Sequence, residues 1–202
     1  AAITPIQFCE KYCQYVDEGY TDVIHVPINR SGSSTYNNAV MAQGMLREER
    51  PEHHLNIHLL DPHTYSMVFG WYLCEMARKL QNGAELRHVI SEFETQMNKM
   101  EVILGPYSLK QMKKSGRISA AAAVMGELMG IRPIITLIDG KTRVESKVRG
   151  DDKVIPAMID LCKKRTEGVE DFDYMIGHTS IPQAAELEKA CRKAFGKAPL
   201  TT

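Results

Sequence analysis

The chain has 202 residues, 44% of them apolar and 25% charged, and its 25 basic and 25 acidic side chains cancel. That composition is the one ordinary globular proteins show, and the length allows one large core or two modest ones. Zero net charge excludes a global field that would draw the chain to nucleic acid or an anionic membrane, so any anion must be held locally.

Thr4 followed by Pro5 predicts a helix start, with Phe8, Tyr12 and Tyr15 as its apolar face and Gly19 as its left-handed stop. The β-branched run Val23, Ile24, Val26, Ile28 predicts a strand over 23–28, and it ends in the hydroxyl-rich turn Arg30-Ser31-Gly32-Ser33-Ser34-Thr35. A helix follows from Tyr36, with Ala39, Val40, Met41 and Met45 expected to face inward. The segment 54–61 (HLNIHLLD) predicts a second strand. A long helix from Thr64 to Leu80, stopped by Asn82 and Gly83, and another over 84–97 complete a run of strand–helix units typical of a parallel sheet.

The pattern changes near residue 99. A short strand (100–104), a short helix to Met112 and an Ala/Met helix over 115–130 lead into two runs separated by Asp139-Gly140, the pair that suits a type I′ hairpin turn. A helix over 152–166, a strand DYMIGHT at 173–179 and a helix over 181–195 follow. The expected architecture is therefore α/β: a parallel-sheet α/β domain (1–98) followed by an α+β domain with an antiparallel sheet (99–202). The chain starts without Met and opens directly into a helix, which reads as an excerpt of a longer protein.

The serine loop carries the most chemistry. A helix N-terminus presents unpaired N–H groups and a positive dipole end, and hydroxyls add donors, so strand–small loop–helix is a seat for an anion. Helix capping alone also uses such residues, but four hydroxyls in five residues exceed what capping needs. No GxxxxGK[ST], GxGxxG or GxSxG motif is present. GRIS at 116–119 offers a second anion group, Arg117, whose guanidinium forks onto carboxylate or phosphate. Lys147 and Arg149 put two cations ahead of a helix, either as a solvated end or as a docking site.

Five scattered cysteines, none in a CxxC pair, indicate reduced thiols and a cytoplasmic setting. Cys9 and Cys13, four apart on the first helix, are within reach of a common metal ion, but packing of small apolar side chains is the reading preferred, and no metal site is assigned. His53, His54, His58 and His63 are scattered by a strand and a loop, His25 reads as a core histidine, and His178 ends the expected strand 173–179. No catalytic set assembles. Eleven methionines are many for this length, and Met41, Met45, Met67, Met76, Met125 and Met129 are expected on inward helix faces, where some can line a tunnel for an alkyl chain.

TPIQF, IHVPINRSGSSTYNNA, LLDPHTYSMVFGW, LKQMKKSGRISAAAAVMGELMGIRPII, DGKTRVESKVRG and IGHTSIPQAAEL together resemble successive motifs of the DegV family of bacterial fatty-acid-binding proteins. The resemblance implies a two-domain carrier with a long-chain fatty acid between the domains, its carboxylate on hydroxyls and its tail in an apolar tunnel. It implies no cofactor, no catalytic residue, no stable membrane insertion and a fatty acid kinase subunit as partner. Ser33 matches the family's carboxylate-binding serine, with Ser34 and Thr35 beside it. Arg117 matches the arginine supporting the head group, and Arg149, with Lys147 nearby, a kinase-docking position. Ser34 stands where the family commonly has glycine, and a threonine that contacts the carboxylate in the family is not found near Ala1-Ala2. Met41, Met67, Met125 and Met129 are the candidate tunnel residues. Each buried methylene is worth about 0.8 kcal/mol, so a long tail offers on the order of 10 kcal/mol before ordering costs, and the head group needs only orientation. The alternative is a small-molecule phosphotransferase related to dihydroxyacetone kinase, with the serine loop on phosphate. That reading requires a nucleotide loop or metal-binding carboxylates beside the loop, and the sequence shows neither.

Overall fold

A computed structural model describes residues 2–65, 67–115, 130–179 and 181–202. The chain divides into two compact units, Ala1–Met100 with the turn Ile138–Lys141, and Glu101–Leu137 with Thr142–Thr202. The division falls two residues beyond the boundary expected from sequence, and the hairpin turn is grouped with the first unit.

In the first unit, α1 spans Pro5–Asp17 and is opened by a capping box. The Thr4 hydroxyl accepts the Gln7 N–H, and the Gln7 side chain accepts the Thr4 N–H at 2.9 Å. Replacing Thr4 with Ala removes one arm of that exchange and is expected to cost about 1 kcal/mol, read as a lower urea midpoint with unchanged slope. Gly19 turns the chain out of the helix with φ +80.

β1 (Asp22–His25) pairs in parallel with β2 (Asn56–Leu59), in register from Asp22 opposite Asn56 to His25 opposite Leu59. Both strands are shorter than their apolar runs. Pro27 has no N–H to give to a ladder, so β1 stops before it although Val26 and Ile28 continue the β-branched pattern. α2 (Thr35–Glu49), α3 (Met67–Gln81) and α4 (Leu86–Lys99) complete the unit. Cys9, Tyr12, Ala42, Leu46 and Leu55 form a core between α1 and α2, and Leu60, Met76, Val89, Phe93 and Met97 a second one involving α3 and α4.

Three inward assignments, Val40, Met41 and Met67, are corrected. The buried stripe of α2 is Ala39, Ala42 and Leu46, at helical spacings of three and four, whereas Val40 and Met41 are 47% and 60% exposed. Met41 lies two residues, about 200° of helix rotation, from Ala39. Met67, the first residue of α3, is 40% exposed, beside a buried stripe that starts at Val68. Met76 is buried as expected, and Met45 packs partly buried against the α1–α2 core.

His25 does lie inside, with its Nδ1 2.6 Å from the Tyr12 hydroxyl and the Phe8 ring edge-on at 4.8 Å. Burial lowers its pKa below the ordinary 6.5. The folded chain therefore refuses a proton that the unfolded chain takes up. Stability from this group is complete above about pH 6.5 and is lost as pH falls from there toward the depressed folded pKa. Urea midpoints of the native chain are expected to drop between pH 7.5 and 5.5 by more than those of His25→Gln.

The second unit is built on a three-stranded sheet in the order β3 (Val102–Leu104), β4 (Ile131–Ile138), β5 (Lys141–Arg149). β3 is antiparallel to β4, and β4–β5 is the expected hairpin, with Asp139 and Gly140 at φ +47 and +71 as a type I′ turn requires. The short α5 spans Lys110–Ser115, α6 Val154–Arg165 and α7 Ala184–Phe195. β4 is buried without alternation over Pro133–Leu137. Arg165 on α6 reaches Glu101 at 3.4 Å and Glu145 at 3.2 Å, while the buried Thr136 hydroxyl donates to Glu145. Burial raises the Glu101 carboxyl despite that arginine.

The expected strand at 173–179 is not one. Its backbone makes isolated bonds, Ile176 N–H to the Thr201 carbonyl and Leu200 N–H to the Tyr174 carbonyl, too few for a ladder. The Ala/Met helix expected over 115–130 falls mostly on residues outside those described. The parallel α/β unit followed by an antiparallel α+β unit stands as read from sequence.

Candidate functional site

The serine loop leaves the carboxyl end of β1 and enters α2, where open α/β sheets place ligands. Ser34 occupies the N-cap of α2, but its side chain makes no capping bond. The Ser33 hydroxyl accepts the Thr35 N–H at 3.3 Å. Thr35 opens the helix with its Oγ1 buried and without a hydrogen-bond partner among the described residues. Three hydroxyls thus surround the positive end of α2, and capping occupies only the first of them.

Asn29 organises the loop from below. It is 1% exposed, and its N–H donates to the Thr64 carbonyl at 3.0 Å, tying the β1 exit to the β2 exit. Its side-chain amide donates to Ser31 Oγ at 2.6 Å, and its backbone carbonyl accepts the Gly32 N–H at 3.0 Å. Asn29 Oδ1 and Thr64 Oγ1 are, with Thr35 Oγ1, buried and unpaired among the described residues. Such atoms carry a desolvation cost of about 1–3 kcal/mol each and are few in folded proteins, so these three leave the loop able to take a further polar partner.

Charge frames the same loop. Arg30 Nε donates to Asp61 Oδ2 at 3.0 Å, with its guanidinium over the Tyr36 ring, and Asp61 Oδ1 accepts the His63 N–H. His63 holds a left-handed φ of +54, and its Nδ1 meets Asp139 Oδ1 of the hairpin turn at 2.7 Å. Gly140 beside it has no room for a side chain, since a Cβ would run into the Asn29 amide and the Ser31 hydroxyl.

Ser33, Ser34 and Thr35 stand at the head of α2. Arg117, Met125 and Met129 lie outside the described residues. Met41 and Met67 are exposed, and Lys147 and Arg149 are exposed near the end of β5. Asn29, Thr64 and the His63–Asp139 pair were missed. A polar residue directly after an apolar strand was the only sequence signal for Asn29, and 76 residues separate His63 from Asp139.

The arrangement offers hydroxyls and N–H groups of the kind that hold a small anion, with no lysine among the described loop residues. A model described as "Uncharacterised protein, DegV family" matches residues 1–201. A DegV domain-containing protein of Clostridium perfringens is 30% identical over 161 residues, 79% of this chain and 55% of its own length. Another from Clostridium acetobutylicum is 30% identical over 195 residues, 95% of this chain and 68% of its own. The chain thus spans about half the length of the first of these relatives. Among solved structures, a stearic-acid-binding protein from Eubacterium ventriosum covers the whole chain and 69% of its own at a TM-score of 0.84 and 20% identity. A fatty acid binding DegV family protein from Streptococcus agalactiae also covers the whole chain and 69% of its own, at a TM-score of 0.80 and 25% identity. The match along nearly the whole sequence, the same fold and the hydroxyl loop at the head of α2 lead to one conclusion: the chain belongs to the DegV family.

Proposed function

We propose that this chain is part of a fatty-acid carrier, with the acyl carboxylate seated on Ser33, Ser34 and Thr35 at the N-terminus of α2. The observation that carries the reading is the Thr35 hydroxyl, buried without a hydrogen-bond partner among the described residues, beside an N-cap Ser34 whose side chain makes no capping bond. A carboxylate oxygen there accepts from the hydroxyls and from the first-turn N–H groups, and the helix dipole favours its charge. The stearic-acid-binding protein of Eubacterium ventriosum and the fatty acid binding DegV family protein of Streptococcus agalactiae support the same ligand class. Arg117 is assigned to the head group and an apolar tunnel to the tail. The protein is a carrier and not a catalyst, acts in the cytoplasm, needs no cofactor, and hands its lipid to a fatty acid kinase through Lys147 and Arg149. No helix among the described residues is long and apolar enough to cross a membrane.

Native mass spectrometry of the purified chain with a long-chain fatty acid tests the binding. A one-to-one adduct that a fatty alcohol of equal length does not form supports a carboxylate site, and equal binding of the alcohol overturns it. The partner is tested separately, by whether Arg149→Glu abolishes lipid phosphorylation by an added kinase while leaving the adduct intact.

A further inference from the structure

Away from the serine loop, the seam between α1 and α2 collects three metal-binding side chains. Cys9 and Cys13 sit one helical turn apart on α1, and Glu49 is the last residue of α2. One ligand atom from each lies within 4.8 Å of the others, and Cys13 Sγ is 3.6 Å from Glu49 Oε2. Tetrahedral zinc with sulfur at about 2.3 Å and oxygen at about 2.0 Å requires S–O and S–S separations of roughly 3.5 and 3.8 Å. The Cys13–Glu49 spacing already meets that, and the other two edges need to contract by at most about 1.0 Å (sulfur to sulfur) and about 1.3 Å (Cys9 sulfur to Glu49 oxygen), a change that side-chain rotation can supply.

We propose that Cys9, Cys13 and Glu49 form a binding site for a thiophilic divalent cation of the zinc type, with a fourth position left to solvent.

The electrostatics fit. Cys9 is 1% exposed, and its thiol is pushed up to about 11 by burial first and then by Cys13 and Glu49 beside it. Two sulfurs and a carboxylate facing one another disfavour a thiolate until a cation joins them. Arg50, the nearest cation in sequence, is engaged with Asp17 at 3.5 Å, and the Glu49 carboxylate enters no ion pair among the described residues. Cys9 anchors the site in the core, while half-buried Cys13 and exposed Glu49 leave it open to entry from solvent. Two sulfur donors exclude magnesium and calcium, which take oxygen ligands. The metal would clip α1 to α2 independently of any fatty acid.

The test is a titration of the reduced, chelator-treated full chain with Co2+, followed by Zn2+. One equivalent of Co2+ is expected to raise a thiolate-to-cobalt charge-transfer band that Zn2+ abolishes, with proton release. Cys13→Ser should remove the band, and Glu49→Gln, at an exposed helix end where folding is undisturbed, should weaken Co2+ binding at least tenfold. The native chain showing no band, the band surviving in Cys13→Ser, or unchanged affinity in Glu49→Gln each overturns the site. Since Cys74, Cys162 and Cys191 remain in every variant, a band they produce alone is read as the second of these outcomes.

Discussion

Thr35→Val is expected to lower fatty-acid affinity about 10- to 100-fold while raising the melting temperature of the lipid-free chain. The two effects have one cause. Thr35 Oγ1 is buried without a hydrogen-bond partner among the described residues, so it carries an uncompensated desolvation cost in the lipid-free fold. Valine has nearly the same shape and nothing to desolvate, and removing the cost stabilises by about 1 kcal/mol. In the complex the same hydroxyl would donate to a carboxylate, a charge-assisted bond worth about 1.5–3 kcal/mol, and each 1.4 kcal/mol is tenfold in affinity. Ser33→Ala makes a useful contrast. Ser33 already accepts the Thr35 N–H, so its loss should weaken binding and also slightly destabilise the lipid-free chain. Isothermal titration and thermal melts on both variants check this. Unchanged affinity in both would remove the serine loop from the site.

Phe93→Ala is expected to destabilise the first unit by about 3–5 kcal/mol. Phe93 is 2% exposed in a core with Leu60, Met76, Val89 and Met97, flanked by Ile24 and Val26 of the β1 run. Removing the ring leaves a cavity under the sheet that rigid neighbours cannot fill. Folded chains hold only about 5–15 kcal/mol in all, so this is a large share. Trp71, the single tryptophan, lies in this unit against Tyr72 at 4.9 Å, and its fluorescence in a urea titration reports the unit by itself. A change below 1 kcal/mol would mean that α4 contributes little to this core.

Much of this was legible from residues alone, and where reading succeeded the cause is local. Thr4-Pro5, Gly19 and Asp139-Gly140 act through their own φ angles and nearest N–H groups, which no distant partner needs to supply. The switch from parallel strand–helix units to a hairpin near residue 99 follows from run lengths and turn residues, and the DegV motifs are themselves sequence. The seat of Ser33, Ser34 and Thr35 at the head of α2 came from the same order of strand, small residues and helix.

Tertiary structure alone decided the rest, because it depends on what packs against what. The helical period places Met41 on some face of α2, but only the contact with α1 decides that Ala39, Ala42 and Leu46 are the buried face and Met41 is not. A β-branched run predicts a strand, but only the four-residue register between β1 and β2 sets its length. Asn29 with Thr64, His63 with Asp139, and Cys9 and Cys13 with Glu49 are pairings between segments 35 to 76 residues apart. Local propensity carries no information about such partners. They exist because the folded backbone brings the ends of separate elements together, and there the polar groups left over from packing become available for binding.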